Sequence, residues 1–192
     1  FTETTTLGMQ SIVIRGDLLR KLSFPQAIVV LSVSINAFIN LLISLVIVFI
    51  FGLINGVDIS IYAFFTPLLL IELYAFSLGV SFLLATLYVR FRDIAPVWDV
   101  FLQIGMYMTP IIYPVTLVMN INEKMAKILM LNPMAQIIQD MRYLITSKVN
   151  ITVWQLIANK FIVCIPYILP FVVLFVGYRV FKHHSNKFPE IV

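Results

Sequence analysis

Glu72 is the side chain whose position in this sequence most suggests a chemical role. It is the one charged residue in an apolar run from Ile59 to Val89. A carboxylate at membrane depth costs about 2.5–3.5 kcal/mol on insertion scales, so it must be paired, protonated or in contact with water. Two interpretations stay open: a polar contact that lines a transport path, or a protonated or hydrogen-bonded residue in helix packing.

Other residue types that perform chemistry are present but dispersed. The nine acidic residues are scattered, with no close pair inside the apolar segments to act as acid and base. The sequence has no GxxxxGK[ST] phosphate loop and no His, Cys and carboxylate cluster at metal-ligand spacing, and Cys164 is the single cysteine. We therefore expect no catalytic residue, no metal site and no cofactor in this chain.

The elements that hold Glu72 are long apolar segments. Of the 192 residues, 61% are hydrophobic and 11% are charged, and the mean hydropathy is +1.01. A water-soluble domain of this length could not bury so much apolar surface, so an all-α, polytopic membrane protein is predicted. The net charge of +4 does not indicate a nucleic-acid partner, because the cations lie at the ends of apolar segments.

Four membrane spans are predicted from the long apolar stretches, each judged against the roughly 20 residues that cross a bilayer. Their ranges are 27–53, 61–89, 97–113 and 156–181. The segment 115–155 instead mixes charges with short apolar pieces. It predicts two amphipathic helices, about Glu123–Leu131 and Met134–Thr146, at the outer interface or partly re-entrant.

Orientation follows from the charged stretch Leu87–Pro96, which separates two apolar segments. Under the positive-inside bias, its two arginines predict a cytoplasmic turn. An amphipathic region, 11–25, and the tail, 182–192, are predicted on the same side. Eight Lys and Arg residues then lie inside (15, 20, 21, 90, 92, 179, 182, 187) and five outside (124, 127, 142, 148, 160).

A polar stripe runs along the first predicted span. Asn36 and Asn40 are four residues apart and share a helix face with Ser32 and, approximately, Ser44. Hydrogen bonding to another helix is favoured over a water-filled path, although both interpretations remain open.

Four stretches, in this order, resemble one family: Leu18-Leu-Arg-Lys-Leu-Ser-Phe-Pro25, Arg90-Phe-Arg-Asp-Ile94, Met108-Thr-Pro-Ile-Ile-Tyr-Pro114 and Leu131-Asn-Pro-Met134. They are similar to the ABC-2 type permease of bacterial polysaccharide exporters, which serve O-antigen, capsule, teichoic-acid and rhamnose–glucose wall-polysaccharide systems. The resemblance covers essentially the whole chain. Family members carry an amphipathic helix and two spans before this segment, so the chain resembles an N-terminally truncated member that holds the last four of six spans.

The resemblance implies a homodimeric permease in the bacterial cytoplasmic membrane, in contact with membrane lipid. It also implies two copies of a separate ATPase subunit, which bind ATP and Mg, and a lipid-linked polysaccharide as substrate. The implied ATPase-coupling residues are Arg15, Asp17, Leu18, Leu19, Arg20, Lys21, Phe24, Arg90, Phe91, Arg92 and Asp93. The implied extracellular gate is at Asn132 and Pro133.

A sliding polymer suits an aromatic-lined path, since sugars stack their C–H faces on rings while their hydroxyls exchange hydrogen bonds with water. The candidates for such a path are Tyr62, Glu72, Tyr74, Phe76, Tyr107 and Tyr113. Three other functions are kept as alternatives: an ABC-2 permease for a drug or lipid, an integral membrane enzyme of glycan assembly, and a channel-like or scaffolding protein.

Overall fold

The fold is all-α, as predicted. The computed structural model describes residues 1–17, 25–56, 60–145, 150–157, 159–185 and 188, and these contain helices but no strand. The helices are α1 (Thr2–Ile14), α2 (Ala27–Ile54), a 3-10 turn (Ile61–Phe65), α3 (Thr66–Arg90), α4 (Ile94–Met108), α5 (Val115–Ile121), α6 (Glu123–Met130), α7 (Pro133–Ile145), α8 (Val153–Leu156) and α9 (Lys160–Ser185).

Three of these elements are long and apolar enough to cross a membrane. They are α2 with 28 residues, the 3-10 turn and α3 together with 30, and α9 with 26. The predicted span 97–113 corresponds to α4, which has only 15 residues. At about 1.5 Å per residue α4 is roughly 22 Å long, less than the hydrocarbon core of about 30 Å. The prediction of four spans is therefore not confirmed.

Local sequence explains where the long helices begin and end. Gly56 follows α2 with φ +70°, a left-handed conformation that glycine adopts without strain and that commonly ends helices. Pro67 lies in the first turn of α3, where its missing N–H is not needed. Helix α4 ends at Met108, just before Thr109-Pro110, because proline cannot continue the hydrogen-bond ladder.

The chain divides into two compact units. Unit 1 comprises Phe1–Val46, Tyr74–Leu102 and Phe171–Val192, and unit 2 comprises Ile47–Leu73 and Gln103–Pro170.

Unit 1 has an apolar core to which α1, α2, α3 and α9 contribute. Its buried residues are Ile12, Val29, Val30, Leu78, Phe82, Ala85, Val89, Phe181 and Phe188. Two glycines allow α3 and α9 to cross closely, because a Cβ at Gly177 would overlap the carbonyl oxygen of Gly79. On α1, Gly8 lies against Ser81, whose hydroxyl donates to the Thr4 carbonyl at 3.0 Å.

Helix α1 differs from what the sequence predicted for this region. The predicted surface element began at residue 11, whereas α1 runs from Thr2 to Ile14 and buries Met9 and Ile12 completely. The threonines before residue 10 obscured the helix, because Thr5 and its neighbours look polar yet pack against other helices. The Thr5 hydroxyl, for instance, accepts a hydrogen bond from the Trp98 indole at 3.2 Å.

Unit 2 contains the short helices of the segment that follows α4. Its core consists of Val115, Ala126, Met130, Ala135, Val153, Leu156, Ile157 and Val163. Arg142 on α7 donates to the carbonyl oxygens of Pro110 and Ile111, at 2.9 and 2.6 Å. This cation therefore fixes the irregular turn after α4 to α7.

Candidate functional site

Asp140 is the centre of a buried hydrogen-bond network in unit 2. Gln136 precedes it by one helical turn on α7, and the Gln136 amide donates to Asp140 Oδ2 at 2.8 Å. The Tyr167 hydroxyl, from α9, donates to the same oxygen at 2.6 Å. The Trp154 indole in turn donates to the Tyr167 oxygen at 3.0 Å, so a chain of donors ends on one carboxylate.

Asp140 has no cationic partner among the described residues to compensate for its burial. Only 9% of its surface is exposed. Burial raises the pKa of Asp140 above its ordinary value, and the hydrogen bonds from Gln136 and Tyr167 offset part of that shift. The side chain is thus held as a hydrogen-bond acceptor in a poorly solvated place.

Glu72 belongs to the same network. Its carboxylate, 5% exposed, contacts the Gln136 amide and is close enough to Asp140 for the two charges to repel. Its Oε1 has no hydrogen-bond partner within the described ranges, and neither has the Oε1 of Gln136. The sequence suggested no close acidic pair, but the fold brings together two carboxylates that are 68 positions apart.

An open cleft of about 390 Å³ adjoins this network. Its lining residues are Phe65, Leu68, Leu69, Asp140, Tyr143, Leu144, Thr152, Trp154, Gln155 and Tyr167. Aromatic rings and aliphatic side chains form most of the wall, and one carboxylate, one carboxamide and several hydroxyls are interspersed. A pocket of this size and composition falls in the range of small-molecule sites, roughly 300–1,000 Å³ with a few placed polar groups.

The arrangement can accept hydrogen bonds from a ligand but has little means of holding an anion. None of the lining residues in the described part of the chain is a lysine or arginine. In the part of the chain that the structure describes, no group of three His, Cys, Asp or Glu residues could hold a metal ion. The cleft therefore suits a neutral or cationic ligand rich in donors.

Three aromatic path candidates of unit 2 lie outside the lining of this cleft. Tyr62 and Tyr107 are exposed, Tyr107 to 71%. Tyr113 is half-buried and donates its hydroxyl to the Tyr107 carbonyl oxygen at 2.9 Å. Their role as path residues stays a prediction.

The other two aromatic candidates make contacts inside unit 1. The Tyr74 hydroxyl forms a hydrogen bond of 3.0 Å with the Ser34 hydroxyl. Phe76 stacks on Phe1 with ring centroids 5.3 Å apart. Both rings are half-buried, which is also what ordinary helix packing requires.

Comparison with known proteins gives this fold a context. No family model matches the chain. Two proteins named O-antigen export system permease protein RfbA, both from Klebsiella pneumoniae, are 25% and 26% identical over 193 residues, which cover 100% of this chain and 70% of each relative. A third of the same name, from Myxococcus xanthus, is 28% identical over 139 residues, 71% of this chain and 52% of that protein.

This likeness supports an export permease of the ABC-2 type. The relatives match the chain from end to end, and its three long apolar helices fit a multi-pass membrane protein. The resemblance predicted from four short motifs is thus confirmed by similarity along the whole length.

The turn between α3 and α4 is the part of the predicted coupling region that the structure describes best. Arg90 ends α3, and α4 begins at Ile94, directly after Phe91, Arg92 and Asp93. All of these except Ile94 are exposed, and the Arg90 guanidinium lies 5.6 Å from the centre of the Phe91 ring. The permease therefore presents a compact charged turn that is free to contact another protein.

The rest of the predicted coupling region is described only at its start. Arg15 donates to the Ser32 hydroxyl on α2 at 3.3 Å, and Asp17 is exposed. The predicted residues Leu18, Leu19, Arg20, Lys21 and Phe24 lie outside the described residues.

The predicted gate residues form the junction of α6 and α7. The Asn132 side-chain oxygen accepts a hydrogen bond from the Met134 N–H at 3.1 Å, as an N-cap does, and its amide lies 3.4 Å from the Thr109 hydroxyl. Pro133 is buried and occupies the first position of α7. These contacts fix the break between the helices, and the gating role stays a prediction.

Sequence reasoning missed the partners of Glu72. Gln136, Trp154 and Tyr167 were not singled out, although Gln136 and Asp140 are four residues apart in a strongly amphipathic segment. Two polar residues at that spacing on an otherwise apolar face could have indicated a buried polar pair. Nothing in the sequence indicated the roles of Trp154 and Tyr167, because their contacts depend on how α8 and α9 pack in unit 2.

Proposed function

We propose that this chain is the membrane-spanning permease subunit of an ATP-driven exporter, and that it moves a lipid-linked polysaccharide across the bacterial cytoplasmic membrane. The observation that carries the proposal is the end-to-end likeness to proteins named as O-antigen export permeases. A shared substrate class is the simplest inference from that likeness, because the relatives share their named cargo.

The proposal includes a separate ATPase subunit and a second copy of the permease. We assign ATP and Mg to the ATPase subunit, as the resemblance implies, and assign no catalytic step to this chain. Support for a docking site comes from the exposed turn Arg90–Asp93, whose two arginines could pair with acidic side chains. Closure of the ATPase subunits would push this turn and the region 11–25, and the packed helices of unit 1 would move as rigid bodies.

A cytoplasmic C-terminus is proposed from the charge bias. Eight cations fall on the proposed inner side and five on the outer side. Two of the five outer cations have structural partners, since Lys127 pairs with Glu123 at 2.5 Å and Arg142 binds two carbonyl oxygens. Both still count as outer cations under the positive-inside rule, so the proposal rests on an inward excess of three cations, eight against five.

The first test is a pull-down of the full-length permease from its native membrane, with identification of stoichiometric partners. We expect an ATPase subunit to be recovered, and to be lost when Leu18–Phe24 is scrambled. Recovery of the permease with glycosyltransferases alone would instead support an enzyme of glycan assembly.

Single substitutions in the exposed turn test the coupling. Arg92→Ala and Asp93→Ala should lower glycan export per ATP hydrolysed while leaving the amount of permease in the membrane unchanged. Asp99→Asn, an exposed change farther along α4, is the matched control. Export per ATP equal to wild type in both turn variants would contradict a coupling role.

A further inference from the structure

The cleft beside Asp140 combines an aromatic platform and a carboxylate, and its described lining residues include no lysine or arginine. We propose that it binds one or two neutral sugar units, and that these belong to the glycan the permease exports. The inference rests on the proposed function for the source of the sugar, and on the cleft itself for the recognition.

The platform is the Trp154 ring. This side chain is 56% exposed, although the residues on either side of it in sequence contribute to a buried core and a capping box. Tryptophans in the aromatic belt at a membrane interface donate their N–H to water or to lipid headgroups. Here the N–H is already donated to Tyr167, which fixes the plane of the ring and leaves its face for a ligand. An aromatic face suits the C–H face of a sugar ring.

The polar recognition comes from Asp140. Its Oδ2 receives the hydrogen bonds from Gln136 and Tyr167, while the described residues provide no partner for Oδ1. A carboxylate held on one oxygen can accept ligand hydroxyls with the other, and such charge-assisted bonds are the stronger kind. Gln155, on the same rim, uses its side-chain oxygen for the Thr152 N–H, so its amide hydrogens remain as donors to a sugar oxygen.

Charge decides which part of a lipid-linked glycan fits. Phosphate groups of a lipid carrier or of an anionic headgroup carry negative charge, and the lining residues that the structure describes offer them a carboxylate and no lysine or arginine. The neutral sugar portion meets no such repulsion. A quaternary ammonium would also suit aromatic rings beside a carboxylate, so the test must separate it from sugar.

The test uses the full-length permease with its ATPase partner in lipid nanodiscs and measures ligand binding by saturation-transfer-difference NMR. The probes are neutral fragments of one to three sugars, released by mild acid from the envelope of the source organism, and choline chloride. We expect saturable binding of a sugar fragment, weakened at least tenfold by Asp140→Asn and by Trp154→Leu. Asp99→Asn and Trp98→Phe are matched controls in unit 1 and should leave binding unchanged.

The outcomes separate this site from the proposed function. A preparation that exports glycan but binds no fragment, or binds it equally in both cleft variants, would overturn the sugar site and leave the exporter intact. Binding of choline in place of sugar would overturn the choice of ligand. Sugar binding that depends on Asp140 and Trp154 in a preparation without ATP-driven export would support the cleft and contradict the exporter. Because Trp154 is largely exposed, its variant keeps the test valid even where Asp140→Asn is poorly folded.

Discussion

The two units of this permease bury different kinds of residue. Unit 1 packs apolar side chains around Phe82 and Phe181 and satisfies its buried Ser81 hydroxyl with the nearby carbonyl oxygens of Thr4 and Ser77. Unit 2 buries two carboxylates and two carboxamides, and several of their polar atoms lack a partner in the described ranges.

This difference indicates that the two units have different roles. Close-packed apolar helices have few alternative arrangements, so unit 1 suits the transmission of a push as a rigid body. Buried polar atoms without partners cost free energy and persist where water, a ligand or function compensates for them. Among the described residues unit 1 also has two such atoms, on Thr6 and Gln26, but neither is next to a buried carboxylate pair. In unit 2 the unpartnered atoms of Glu72 and Gln136 belong to the network around Asp140, so unit 2 is the region in which we expect a ligand.

The largest effect is expected where α3 crosses α9. Gly177→Val would force a branched side chain into the backbone of Gly79, where even a single Cβ overlaps the carbonyl oxygen. Overpacking of a well-packed core costs about 1–3 kcal/mol and sometimes more, and backbone offers no side chain to move aside. We expect little or no folded permease by fluorescence-detected size exclusion.

Gly105→Val is the matched control for that crossing. No atom lies within 4 Å of a Cβ at Gly105, so the same change should leave the elution profile and the yield near wild type. Equal loss of both variants would mean that membrane insertion, and not the helix crossing, limits folding.

The same crossing illustrates what the sequence could predict. Apolar length alone located the three long helices, because uncharged runs beyond about 20 residues have few other structures available. It did not predict that Gly79 and Gly177 meet, since they are 98 positions apart and neither lies in a recognisable motif. The interpretation of the polar stripe was better supported, because Asn40 donates to Glu3 on α1 at 2.8 Å and Arg15 donates to Ser32.

A smaller but clear effect is expected in unit 2. Asp140→Ala removes the acceptor of the Gln136 amide and of the half-buried Tyr167 hydroxyl, and only the Gln136 amide keeps another contact, with Glu72. A polar group left without its partner costs about 1–3 kcal/mol, so the unfolding free energy should fall by that order. Asp140→Asn keeps one acceptor oxygen and should cost less. Thermal unfolding in detergent measures both, with the exposed Asp99→Ala as control, and an Asp140→Ala protein as stable as that control would contradict the network.

The pH dependence of stability tests the same carboxylate more finely. The folded protein holds the Asp140 proton more tightly than the unfolded chain does, because burial raises the pKa of Asp140. Between the ordinary aspartate pKa and the raised one, the unfolding free energy must therefore fall as pH rises. Below that window the proton is bound in both states, so the full stability is present there.

Asp140→Asn isolates this contribution, because Glu72 and the other titrating groups remain. As pH rises through the window between the ordinary and the raised pKa of Asp140, we expect the melting temperature of wild type to fall relative to that of Asp140→Asn. A difference that does not vary with pH would mean that Asp140 titrates alike in the folded and unfolded states.

The sequence could not have predicted this site in full, for a physical reason. Glu72 was recognisable because it is a single carboxylate in an apolar run, and a charge at membrane depth is costly and rare. Asp140 lies in a segment that also carries Arg142, and that segment is predicted to lie at the outer interface or to be partly re-entrant. Asp140 is buried because of the way α7 packs within unit 2. A helical period shows which residues share a face of α7, but it does not show which other helix that face contacts.

The smallest effect is expected for Glu123, an exposed acidic side chain whose pKa is also shifted. Lys127 hydrogen-bonds to Glu123 one turn along α6 and lowers the pKa of that carboxylate. Both side chains are solvent-exposed, where water and salt screen the attraction, so Lys127→Ala should leave the melting temperature within error of wild type. The carboxylate should nevertheless respond, and its titration by NMR should move back up to the ordinary glutamate range. A large loss of stability in Lys127→Ala, comparable with that of Asp140→Ala, would show that exposure does not separate the two carboxylates and would remove the basis for assigning ligand binding to the buried one.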